Sequence, residues 1–220
     1  MITAEQFARQ NAVWHRATPT LEQYTRWANK NCHRVGSGVT RRGSASRSAL
    51  IAETSFLQLI HPDARTAEEL ARKYVRKLPR SQNVNEKLTS EEFIEVAGLR
   101  ANLELYLNYH VRGPVRRAPE FPGCGVVLKA NGDLLAGSEL IEVKSVVRLF
   151  RGTDLRQALT YAALAYSIER SIDRITLLNP RLGVFFTSTA SDLALDIGAG
   201  SWVELMHDLV ETMSGFETSV

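Results

Sequence analysis

Residues 132–146 read GDLLAGSELIEVKSV, and this stretch restricts the fold more than any other in the chain. With Gly137 and Ser138 as a two-residue turn, Ala136 faces Glu139, Leu135 faces Leu140 and Asp133 faces Glu142. A hairpin of this register puts the two carboxylates on one face of a sheet, with Cβ atoms roughly 4.5–5.5 Å apart. Strand alternation adds Lys144, two residues beyond Glu142, to the same face. The charges sit among Leu140, Ile141, Val143, Val146 and Val147, where burial without a partner would be costly, so an ordinary solvent-facing salt bridge is a poor account of them. Two hard oxygen ligands suit Mg²⁺ or Mn²⁺ and leave positions for water and a phosphate oxygen. A lysine beside them can orient water or stabilise developing negative charge.

The chain around this hairpin divides by periodicity. Apolar positions Phe7, Val13 and Trp14, then Leu21, Tyr24, Trp27 and Ala28, recur at helical spacing, with Pro19 breaking the two segments. His33 to Arg47 is a Gly-, Ser- and Arg-rich loop, and helical patterns resume over Ser48–Ile60 and Thr66–Leu78. Thr89 or Ser90 with Glu92 marks a helix start, and that helix runs through Val96, Leu99, Leu103 and Tyr106 to about Tyr109. The Pro-rich connector Gly113–Gly125 ends it. Strands are expected at Val126–Leu128, Leu134–Leu135, Glu139–Val147, Ile175–Leu178 and Val184–Thr187, with helices at Asp154–Arg170 and Trp202–Met213. At 220 residues the chain can bury one α/β core, and the reading divides it into a basic helical region over 1–88 and a core over 89–220.

At the hairpin the sequence resembles the PD-(D/E)XK phosphodiesterase superfamily. Asp133 takes the place of the lone acidic residue, Glu142-Val143-Lys144 matches (D/E)-x-K, and Gln157 and Tyr161 on the next helix look like the Q-x-x-x-Y element of the RecB-like branch. The likeness spans roughly residues 89–190. It implies a restriction-endonuclease-like α/β fold, a mixed central sheet flanked by helices, here preceded by an N-terminal helical region. The implied activity is a metal-dependent nuclease, a deoxyribonuclease using Mg²⁺ or Mn²⁺ bound by Asp133 and Glu142. Lys144 would act on water or charge, while Gln157 and Tyr161 position the site. The family adds an acidic side chain from the preceding helix, for which Glu95, Glu92 and Glu104 are the candidates. Glu95 borders the apolar stripe and is preferred, and Glu104 lies nine positions on, on the opposite face. The resemblance also implies association with bacterial genome defence, with partner proteins of such a complex or self-association into a homo-oligomer.

Charge is uneven along the chain: residues 1–90 carry 15 Lys and Arg against 7 Asp and Glu, and residues 91–220 carry 12 against 17. The basic half could attract nucleic acid, with Arg34, Arg41, Arg42 and Arg47 in the loop and Arg181 in the Asn179-Pro180-Arg181-x-Gly183 turn as phosphate contacts. Each also has a plainer reading, as a solvated face or part of a tight turn. Gly36-x-Gly38 lacks the Lys-Ser/Thr of a phosphate loop, and the Cys and His spacings exclude a zinc motif. Only Cys32 and Cys124 are present, no apolar run is membrane-spanning and the opening residues are not signal-like, so a cytoplasmic setting without membrane contact is expected. The competing expectation is a catalytically inactive nuclease-fold subunit that binds nucleic acid or assembles a complex.

Overall fold

The computed structural model describes residues 1–77 and 85–215. Three helices open it, α1 (Ala4–Phe7), α2 (Asn11–Ala17) and α3 (Leu21–Lys30), followed by the short strand β1 (His33–Arg34). Helices α4 (Ser48–Leu57), α5 (Ala64–Val75) and α6 (Ser90–His110) come next, then strands β2 (Val115–Arg117), β3 (Glu120–Phe121), β4 (Ala130–Asn131), β5 (Leu134–Ala136) and β6 (Glu139–Val143). The chain continues through α7 (Gly152–Tyr166), β7 (Arg174–Asn179), β8 (Val184–Thr189), α8 (Ala190–Asp196) and α9 (Trp202–Gly215). The expected end of the fifth helix at Leu78 lies outside the described residues. Among the described residues no helix is long and apolar enough to cross a membrane.

The fold is α/β. Six strands form one mixed sheet in the order β1-β8-β7-β6-β5-β2, in which only β6 and β7 run parallel, and α7 makes the crossover between them. Strand alternation sorts the hairpin side chains. Leu135, Leu140 and Leu177 face a core with Leu155 and Leu159 of α7, whereas Leu134, Ile141 and Leu178 face Leu103 and Tyr106 of α6. The second layer continues into α4 and α5, whose Leu50, Ile51 and Ala71 pack with Val96 and Leu99. Helices form where the sequence caps them. Thr89 accepts from the Glu92 amide while Glu92 accepts from the Thr89 amide, and Asp63 accepts from the Thr66 amide at the start of α5.

The boundary drawn at residue 88 is crossed by packing. Phe7, Trp14, Leu21 and Tyr24 share one core with α7 and α9, and β1 adds an edge strand beside β8. The loop from His33 to Arg47 is likewise tied down rather than free. Val35 and Val39 amides donate to the Gly183 and Arg181 carbonyls, and buried Asn102 donates to the carbonyls of Ser37 and Pro180. Gly36 is where Asn102 passes, and a Cβ there would come within 2.0 Å of its Oδ1. Val126–Leu128 is not a ladder strand, and Val127 makes only isolated bridges to Ile2 and Cys124. The Pro-rich connector, by contrast, contains β2 and β3, on either side of Pro119.

Candidate active site

The hairpin pairs in the expected register: Leu134 opposes Ile141, Leu135 opposes Leu140 and Ala136 opposes Glu139. Continued by one pair, this register sets Asp133 opposite Glu142. Asp133 Oδ2 accepts from the Val143 amide at 2.7 Å, which ties the end of the hairpin together and fixes the carboxylate. Glu142 is 1% exposed, its Oε1 lies 2.5 Å from Lys144 Nζ, and its Oε2 is buried without a hydrogen-bond partner among the described residues. Lys144 Nζ also donates to Gln157 Oε1 at 2.9 Å, and Gln157 Nε2 donates to the Tyr161 hydroxyl at 2.9 Å. The four-residue spacing of Gln157 and Tyr161 on α7 places both on the face turned to the hairpin. Tyr161 is held in turn by stacking on Phe121.

The electrostatics follow from two carboxylates and one ammonium in a desolvated corner. Burial, and then the Asp133 charge, push the Glu142 carboxyl up to about 8. Burial also raises Asp133, against the opposing pull of Lys144 and the Val143 amide. Burial works against the Lys144 ammonium, but Glu142 and Asp133 beside it outweigh that and raise its pKa. Tyr161 is raised by burial and by the Glu142 charge, so its hydroxyl stays protonated. With both carboxylates ionised, Lys144 would neutralise only one of them, so in the absence of a further cation the pair retains a proton in place of that unbalanced charge. That surplus of negative charge, with the orphaned Glu142 Oε2, suits a divalent cation. Among the described residues no group of three or more His, Cys, Asp and Glu could hold a metal ion. The candidate ligand set is thus the carboxylate pair, with remaining positions left to backbone oxygen, water or substrate.

A proton held by Glu142 in the folded state and not in the unfolded chain has a signed consequence for stability. The folded value of about 8 lies above the ordinary 4.5, so the folded state binds more protons in that window and stability falls as pH rises through it. Glu142→Gln, which mimics the protonated form, is expected to match wild type at acid pH and to be the more stable of the two at pH above 8 in chelator. Urea unfolding of both proteins across the window checks this, and parallel profiles would contradict it.

Asp133 and Lys144 line a cleft of about 680 Å³ between the hairpin and α4–α5. Glu53 of α4 lines it too, and its carboxyl is pushed up to about 7 by burial and by the Asp133 charge. It makes no side-chain hydrogen bond or ion pair among the described residues. Sequence reasoning missed it, although Glu53 is the only charged residue in the expected Ser48–Ile60 helix.

The preferred upstream acid, Glu95, is not part of this cluster. It is 0% exposed, accepts from the Arg42 and Gly43 amides, and lies 2.6 Å from the Arg181 guanidinium. The apolar stripe of α6 carries Glu95 inward as expected, but toward the loop and the β7–β8 turn. Glu92 holds Arg47 and Glu104 pairs with Arg100, so neither alternative faces the cleft carboxylates. Of the arginines expected on phosphate, two turn inward. Arg181 is 2% exposed beneath the turn, and Arg47 is buried, with Nε 2.5 Å from Glu92 and Nη2 3.0 Å from the Lys87 carbonyl. Arg42 pairs with Glu91 at the surface. Arg34 and Arg41 are exposed and make no side-chain hydrogen bond or ion pair among the described residues.

No protein-family model, curated protein or solved structure matches the chain.

Proposed function

We propose that this chain is a divalent-metal-dependent phosphodiesterase acting on nucleic acid, with DNA as the expected substrate, on a core of the restriction-endonuclease type. The observation that carries the reading is the Asp133–Glu142 pair. Two carboxylates of raised pKa share one face beside a cleft that Asp133 and Lys144 line, one oxygen of Glu142 is buried without a partner among the described residues, and the lysine touches Glu142. A structural ion pair needs one acid and one base, and Asp133 adds a second carboxylate whose charge works against Glu142. The mixed sheet flanked by helices supports the same reading.

Asp133 and Glu142 would hold Mg²⁺ or Mn²⁺. Such an ion supplies Lewis-acid stabilisation of the phosphoryl oxygens and lowers the pKa of a bound water. The chain's own groups do the positioning. The Val143 amide fixes Asp133, and Gln157 accepts from Lys144 Nζ in addition to its carboxylate contact. The ammonium, which its neighbours keep protonated, would orient the attacking water or stabilise charge building on a non-bridging oxygen. Tyr161, a hydroxyl that stays protonated, receives the Gln157 amide and sets its rotamer.

One observation favours the second reading, an inactive nuclease-fold subunit: no third acidic ligand joins the pair among the described residues. The two separate on metal. A calorimetric Mn²⁺ titration followed by cleavage of labelled DNA with Mn²⁺ or with chelator is the test. The active reading expects binding and cut product, and the inactive one neither.

A further inference from the structure

The cleft has a second wall that the carboxylate chemistry does not use. Opposite Asp133 and Lys144 it is formed by Phe56, Leu57 and Ile60 at the end of α4 and by Tyr74 of α5. Tyr74 is 54% exposed, so part of its ring is open to solvent at the cleft. It lies in the run Arg72-Lys73-Tyr74-Val75-Arg76-Lys77 at the end of α5, where Lys73, Arg76 and Lys77 are exposed. These three cations make no side-chain hydrogen bond or ion pair among the described residues, whereas Arg72 is held by Glu68. Lys77 lies in the turn directly after α5, where its amide donates to the Tyr74 carbonyl at 3.1 Å.

We infer that this edge of α5 is a track for single-stranded nucleic acid, with Tyr74 as a stacking platform and Lys73, Arg76 and Lys77 as phosphate contacts leading a strand into the cleft. The inference rests on the reading of the cleft as a site of phosphodiester chemistry. An aromatic face has a use for an unpaired base, whose π surface is free, and none for a base stacked and paired inside a duplex. Cations spaced along an aromatic suit a backbone followed without base readout. The size is compatible, since about 680 Å³ falls within the range of sites that take a small-molecule-sized group such as one nucleotide. The track also replaces the arginines that fold inward: the basic surface beside the site comes from the end of α5 and the turn after it, not from Arg47 or Arg181.

The test is binding in chelator, so that cleavage plays no part. Fluorescein-labelled oligodeoxyuridylate, oligouridylate and a blunt DNA duplex are titrated with the whole chain by anisotropy. At least one single strand is expected to bind more tightly than the duplex, and the tighter of the two identifies the sugar. Tyr74→Ala should weaken single-strand binding on the order of tenfold and leave the duplex unchanged, while Tyr74→Phe retains the wild-type value. Replacing Lys73, Arg76 and Lys77 together by Ala should make the log–log salt slope shallower by about 2, at about 0.7 per phosphate contact on a single strand. Because all four side chains are exposed, circular dichroism of the variants should match wild type. Duplex bound as tightly as either strand, or single-strand affinity indifferent to Tyr74→Ala, would overturn the inference. A chain that shows the Tyr74 dependence but never cleaves would sink only the phosphodiesterase reading. One that cleaves and ignores Tyr74 would sink only the track.

Discussion

Alanine at Asp133, Glu142 or Lys144 is expected to bring Mn²⁺-dependent cleavage of labelled DNA to background, a loss of about 10³-fold or more in the single-turnover rate. The three need not add, because they act as one unit: Glu142 Oε1 touches Lys144 Nζ, and both Glu142 and Lys144 respond to the Asp133 charge. The fold should survive each change. In chelator, removing Asp133 relieves the repulsion that helps to raise Glu142, and removing Glu142 takes a carboxylate out of a buried site, so the loss of contacts is partly offset. Near-ultraviolet circular dichroism and a urea midpoint close to wild type would establish that the loss is chemical. A variant that is folded and cuts at the wild-type rate would place the chemistry elsewhere.

The second large effect is on stability and lies away from the cleft. Arg181→Ala or Glu95→Ala should each destabilise by about 3–5 kcal/mol, because either leaves a fully buried charge with its partner gone. The double replacement Glu95→Leu with Arg181→Met should cost much less than the two alanines summed, since it removes both charges and keeps the volume. Denaturant unfolding of the three proteins supplies the cycle. If Arg181→Ala unfolds at the wild-type midpoint and instead binds nucleic acid more weakly, the turn arginine is a phosphate contact after all.

The contrast between these two sites shows what the sequence makes legible. Hairpin register is local: a two-residue turn and strict alternation fix which side chains face each other, so the convergence of Asp133, Glu142 and Lys144 follows from counting. The helix face shared by Gln157 and Tyr161 is equally local. Which glutamate faces the cleft is not. Periodicity shows that Glu95 points inward, but whether an inward carboxylate meets a guanidinium or another carboxylate depends on a turn 86 residues later in the chain, at Arg181. Glu53 reaches the cleft only because α4 packs across α6 and ends beside the hairpin. The Arg-rich loop misleads for a related reason. Its glycines read as flexibility, yet Gly36 gives room to Asn102, and the Arg42 and Gly43 amides are consumed by Glu95. Strands β2 and β3 escape detection because prolines on either side of two- and three-residue runs leave no period to read.

The central claim is that Asp133 and Glu142 form a divalent-cation site. A calorimetric Mn²⁺ titration of the metal-free chain, repeated with Asp133→Asn and Glu142→Gln, tests it without reference to any substrate. The account predicts one saturable binding event in wild type, accompanied below pH about 8 by release of the proton that Glu142 holds, and loss of that event in both variants. No saturable binding by wild type, or binding of equal affinity in either variant, would contradict it.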